Sequence, residues 1–289
     1  MRVWRKAGWE NEFSQTLFFY FCDLVLVRWA GLPVTHPDDA AFEERLAVFQ
    51  ADVAIAARSY FAMAAINHLA GQDSDLLARL NEAPDFWNLV QANNQTTLFS
   101  ALGRIFDQDT IAIYTIDRLV MAAQKDGGAM FSADRIADRK RRDSTNAREW
   151  LPKYMMEVYV PTVDDLRALR RLVDKYRKIF NATYRPIRNQ VMAHGSATRA
   201  EAEALFARTR HPELRRILRF LQRLSDGVWS LYWNGQHPLR RRPFPPMGLE
   251  RITSATPRSG FLSDQEVIGQ ATRRVMEQLR GVLSLQERR

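Results

Sequence analysis

A single cysteine, Cys22, stands among 289 residues. That excludes an internal disulfide framework and any zinc site built from several thiolates. Histidine is nearly as scarce: His36, His68, His194, His211 and His237 are scattered, with no pair at metal-ligand spacing, so neither a metal nor another cofactor is expected. Glycine-rich phosphate loops and dinucleotide fingerprints are missing as well. No apolar run reaches the roughly 20 residues of a membrane-spanning helix. The longest, Leu17 to Leu32, is interrupted by Asp23 and Arg28, and with Glu10 and Glu12 ahead of it and no small-residue cleavage site it reads as a packed or partner-binding helix rather than a span or signal peptide. Lysine is rare too. Of 42 basic residues only six are lysine and 36 are arginine.

What remains is a cationic, helix-forming chain. The formal charge of +9 and a sequence pI near 10.0 favour a polyanionic partner, since each neutralised phosphate releases counterions. A reducing, cytoplasmic setting fits the lone thiol. Apolar residues recur at three- and four-residue steps almost throughout, and strand signals are few, so the fold is expected to be all-α. One helix is expected from about Asp39 to Ala70 on Phe42, Leu46, Phe49, Val53 and Ala57. A second is introduced by Pro84 and Asp85 and runs through Trp87, Leu98 and Phe106. Arg104 and Asp107 in it are spaced to pair, and Asp117 and Arg118 follow. Residues 138–148 read as a charged, solvated connector. His211 to Trp233 carries Leu214, Leu218, Leu221, Leu224, Val228 and Leu231 near one face. Beyond it, Pro238, Pro243, Pro245, Pro246 and Pro257 and the triplet Arg240-Arg241-Arg242 describe a basic arm. Ser263 and Glu266 then cap a final amphipathic helix with a stripe of Val267, Ala271, Val275, Leu279 and Val282. The chain divides at 1–36, an apolar extension; 37–236, a helical domain; and 237–289, the arm and last helix.

The densest chemistry lies at residues 184–196, Tyr-Arg-Pro-Ile-Arg-Asn-Gln-Val-Met-Ala-His-Gly-Ser. Arg188, Asn189 and His194 fall within two turns there, joining a phosphate-binding fork, a neutral amide and the one side chain that titrates near neutrality. The Arg-to-His spacing alone means little, because so arginine-rich a chain produces roughly one or two such hits by composition. Its setting is more telling. Upstream, Leu166, Leu169, Val173, Tyr176, Phe180, Tyr184, Ile187 and Val191 form a buried face, and beside them Arg167, Arg170, Asp174, Arg177, Asn181, Arg185 and Arg188 form a mostly cationic row along which a polyanion could lie. Thr162 with Asp165 starts this helix and Gly195 ends it. Pro186 is expected to kink it. In an unbroken α-helix the step from Arg188 to His194 turns about 600°, leaving the two roughly 120° apart. The residues alone leave His194 open between a core histidine extending the apolar row and an acid–base group.

This segment resembles the signature of the HEPN superfamily of helical ribonucleases, in which an Arg, often followed by a polar residue such as Asn, precedes a His by four to six residues. The segments Leu98-Phe99-Ser100-Ala101-Leu102-Gly103-Arg104-Ile105-Phe106-Asp107, Thr115-Ile116-Asp117-Arg118-Leu119 and Phe131-Ser132-Ala133-Asp134-Arg135-Ile136-Ala137-Asp138-Arg139-Lys140 are similar to the branch named after the AbiU abortive-infection system of bacteria, over about residues 39–236. The resemblance implies a HEPN-type bundle acting as a homodimeric, metal-independent endoribonuclease in bacterial stress or phage defence, with RNA as substrate and an antitoxin or other regulator as partner. It implies Arg188, His194 and Asn189 as catalytic residues. Arg185, Arg177 and Arg170 would then bind RNA. The alternative is a helical module of this class that binds RNA or a partner without cutting.

Overall fold

The protein, seen in a computed structural model, is described at residues 37–193, 195–239, 247–254 and 262–284. Its helices are α1 (Pro37–Ala70), α2 (Ser74–Leu80), α3 (Pro84–Ile105), α4 (Ile116–Gln124), α5 (Ala133–Asp143), α6 (Ala147–Met155), α7 (Val163–Ile179), α8 (Arg199–Ala207), α9 (His211–Asn234), α10 (Leu249–Ile252) and α11 (Asp264–Ser284). A 3₁₀ segment (Lys125–Phe131) precedes α5, and two π-type segments, Phe180–Tyr184 and Ile187–Ala193, continue α7. The fold is all-α, with no strand among the described residues. The apolar extension expected at 1–36, the triplet Arg240–Arg242 and His194 lie outside the described residues.

α1 is the axis of the bundle. Phe42, Leu46, Phe49, Val53 and Ala57 are buried as expected, but so are Phe61, Ala65 and Ile66 on other sides. A helix apolar over so much of its surface has to be covered from several directions, and α3, α4, α9 and α11 all pack on it. α3 differs from end to end. From Leu98 on it is buried, whereas Phe86 and Leu89 in its first half are more than half exposed. The apolar row of α9 is buried throughout, from Leu214 to Leu231.

The expected connector at 138–148 is instead mostly helix. Ser132 caps α5 by accepting from the Arg135 amide, and Ile136, Ala137 and Arg139 are buried on its inner face. Of the charges there Arg139 is enclosed, while Asp138, Arg141, Asp143 and Arg148 are exposed as read. Arg139, fully buried, donates to Met130 O at 2.7 Å, reaches Asp39 at 3.4 Å and lies 3.9 Å over the Tyr232 ring. Tyr232 in turn donates to Glu43 Oε1 at 2.7 Å. A buried cation must be paired or stacked, and this knot of α1, α5 and α9 does both. Burial, the largest influence, pushes the Glu43 carboxyl up from its ordinary range.

The last helix is capped as read, Ser263 donating through N–H and O–H to Glu266 Oε2. Its buried face differs from the expected stripe. Val267 and Val275 are exposed, while Gln265, Thr272 and Met276 face the body. Gly269 explains the choice: a Cβ there would meet Ile252 O at 2.5 Å, so the small-residue side approaches α10 most closely. The arm after α9 also folds back onto the body. Gly235, at φ +54°, ends α9, and Pro238 O lies 2.3 Å from where a Cβ on Gly227 would sit.

Candidate active site

The capping box read from Thr162 and Asp165 is present, each side chain accepting from the other's backbone N–H at 3.2 and 2.8 Å. Hydrogen bonds from Thr162 and then Tyr159 hold the Asp165 carboxyl below the usual carboxylate range. From this fixed start α7 buries Leu166, Leu169 and Val173, and its continuation buries Phe180, Tyr184 and Ile187. The expected kink at Pro186 does not occur as a break. The helix widens instead, with the Arg185 N–H bonding five residues back to Phe180 O. Proline lacks a donor for the fourth carbonyl behind it, Ala182 O, which accepts from the Arg208 guanidinium at 3.3 Å. The wider turn also changes the closing bond. Ser196 N–H reaches Gln190 O at 2.8 Å, a six-residue span, with Gly195 at φ +56°. Along Ile187–Ala193 the α-helical angle between Arg188 and residues beyond therefore no longer applies, since an i→i+5 ladder turns less per residue.

This widened rod runs antiparallel to the buried half of α3. Thr96 Oγ1 meets Met192 Sδ at 3.6 Å, Gly103 lies under Arg188, and Phe106 stacks on Phe180 at 5.0 Å between centroids. Arg185 donates to Phe106 O at 3.3 Å, a cation placed on the carbonyl end of a helix. Arg188 donates to Asn189 Oδ1 at 2.9 Å. A cleft of about 320 Å³ opens here. Arg185, Arg188 and Asn189 line one side and Asp107, Gln108 and Asp109 the other, with Gly103 and Phe180 completing it. The second side is a stiff turn. Asp107 Oδ1 accepts from the Gln108 and Asp109 amides at 2.7 and 3.1 Å, and Arg118 holds Thr110 O at 2.7 Å.

The structure thus brings Arg185, Arg188 and Asn189 together. Arg170 and Arg177 lie elsewhere. Arg177 is 7% exposed and is held by Asp117 and by Asp174 at 2.8 Å, and Arg170 reaches the same Asp117 at 3.0 Å. Arg104 does not pair with Asp107 but with Asp52 on α1, Nε to Oδ1 at 3.0 Å. Sequence reading missed the opposing wall, Gly103 and residues 107–109. The only available signal was a glycine inside a helix and acids just past its end. Among the described residues no cluster of three or more His, Cys, Asp or Glu is placed to hold a metal ion.

An all-α bundle carrying the Arg188–Asn189 pair on a rod packed along α3 fits a HEPN-type domain. The family model for AbiU2 matches residues 39–243, well over half of the chain, and the chain belongs to this AbiU2 family of HEPN domains. No curated protein and no solved structure matches it.

Proposed function

We propose that the chain is a metal-independent endoribonuclease of bacterial stress or phage defence, cutting RNA by attack of a ribose 2′-hydroxyl on the neighbouring phosphate. The observation that carries this reading is the cleft in which Arg188 and Arg185 stand side by side. Two guanidinium forks can grip phosphate oxygens and stabilise the charge that develops on them. Asn189, bonded to Arg188, orients that fork. His194 supplies the proton transfers, an imidazole near pKa 6.5 being able to act as base or acid. One His per chain leaves the second proton step to a twofold partner, hence a homodimer. Opposed to the two arginines are Asp107 and Asp109, so the charged lining balances. Such a cleft suits a singly charged internal phosphodiester better than a doubly charged terminal phosphate. Arg170 and Arg177 serve RNA indirectly, by fixing the rod on α4. A cytoplasmic toxin of this kind needs restraint by an antitoxin or a latent state.

The test is cleavage of a defined RNA, and of the same strand with 2′-deoxy substitutions, in excess EDTA by wild type, Arg188→Ala and His194→Ala. Cyclic-phosphate ends, absent at 2′-deoxy positions and with either variant, are expected. Binding without cutting across a broad panel would replace the enzyme with a non-catalytic RNA-binding module.

A further inference from the structure

We infer that Gly103 is a positioning residue for Arg188, the bare backbone on which that side chain rests; its functional readout depends on the ribonuclease reading above. Glycine is among the poorest helix formers, and Gly103 lies in the last turn of α3, between buried Leu102 and the buried Ile105. Its backbone is not among the positive-φ glycines, so conformational freedom is not what places it there. Nor is close approach of another backbone. At Gly227 and Gly269 the nearest obstacles to a Cβ are main-chain carbonyls, Pro238 O at 2.3 Å and Ile252 O at 2.5 Å. Those glycines let segments of chain touch. At Gly103 the three nearest atoms all belong to one side chain, Arg188 Nε at 2.9 Å, Cγ at 3.2 Å and Cδ at 3.4 Å.

The distinction has a direct consequence. A methyl at 227 or 269 has nowhere to go, whereas a methyl at 103 meets a flexible stem that can swing away. Ordinary contact begins near 3.4 Å, so Nε must retreat by about 0.5 Å or more. The helix then gains a better helix former while the guanidinium loses its seat. Among the described residues Arg188 is fixed otherwise only through Nη1 to Asn189 at 2.9 Å and through its own backbone, so the displaced fork leaves the cleft wall it shares with Arg185. A guanidinium moved out of hydrogen-bonding reach gives up a charge-assisted bond to phosphate, about ten- to a hundredfold in affinity.

Gly103→Ala and Arg188→Ala, singly and together, should be compared in thermal unfolding, in affinity for a short mixed-sequence single-stranded RNA blocked by 2′-deoxy substitution, and in the Arg188 Nε–Hε resonance. Gly103→Ala is expected to unfold at the wild-type temperature or above it, to bind RNA about ten- to a hundredfold more weakly and to shift the resonance. The double variant should bind no worse than Arg188→Ala alone. Wild-type affinity in Gly103→Ala, with Arg188→Ala impaired, overturns the inference. So does a melting temperature several degrees lower that persists in the Arg188→Ala background, which makes Gly103 a packing gap. If Arg188→Ala itself binds RNA normally, the resonance decides the seat, and an unmoved Nε–Hε signal in Gly103→Ala overturns it; the ribonuclease reading falls only where Arg188→Ala also cleaves at the wild-type rate.

Discussion

α7 and its π-widened continuation carry arginines on one row, yet the two halves put them to different use. In α7, Arg170 and Arg177 are turned into structure by Asp117 on α4 and Asp174 on their own helix. Further along, Arg185 and Arg188 meet no carboxylate at pairing distance among the described ion pairs; one bonds a carbonyl, the other an amide oxygen. A buried ion pair fixes geometry but removes the charge from solvent, while a guanidinium held through neutral acceptors keeps its charge available. The neighbour decides the role of an arginine more than the row it belongs to.

The sharpest way to break the contrast is to remove the carboxylate. Asp117→Ala leaves nearly buried Arg177 with Asp174 alone and is expected to cost up to about 3 kcal/mol in urea unfolding, with RNA affinity per folded molecule little changed. Arg188→Ala should do the reverse, lowering cleavage by about 100-fold or more while the melting temperature stays near wild type. Next in size is the anchor of α7. Because the folded Asp165 carboxyl titrates below its ordinary 3.8, its stabilisation is complete above that value and is lost as pH falls through the lower folded one. Asp165→Asn should therefore cost about 1 kcal/mol at neutral pH, and denaturation curves of variant and wild type should converge in acid. The smallest effect falls on Arg208→Ala, which orphans the Ala182 carbonyl that Pro186 leaves free. About 0.5 kcal/mol is expected, read by urea unfolding, together with a changed amide signal at Arg185 if the wide turn relaxes.

Much of this was legible in the sequence. Helical periodicity located α1, α3, α7 and α9 because burial of one face demands it, and Thr162 with Asp165 announced a start through purely local bonds. Arg188 and Asn189, adjacent in sequence, were found for the same reason. Gly103 and the turn at 107–109 were not, since nothing within α3 says that a rod some 80 residues later will lie antiparallel on it. Pro186 was read as a kink or restart just ahead of Arg188. The structure widens the helix there and borrows a donor from Arg208, a solution that depends on a side chain from another helix. The charged residues of 138–148 are mostly exposed as read; Arg139 is the exception, taken as solvated for want of knowing that Tyr232 and Asp39 would enclose it. In the last helix the apolar stripe lost to Gly269, because the closeness of approach outweighed the hydrophobicity of Val267 and Val275.

That enclosed arginine also bears on how the molecule opens. Arg139 cannot regain water unless the first turns of α1, the middle of α5 and the end of α9 separate together. Their amides should exchange with deuterium at one common, slow rate, whereas those in the exposed first half of α3 exchange early and independently. Among the described residues a protease probing the folded chain would find an early foothold there, far from the knot.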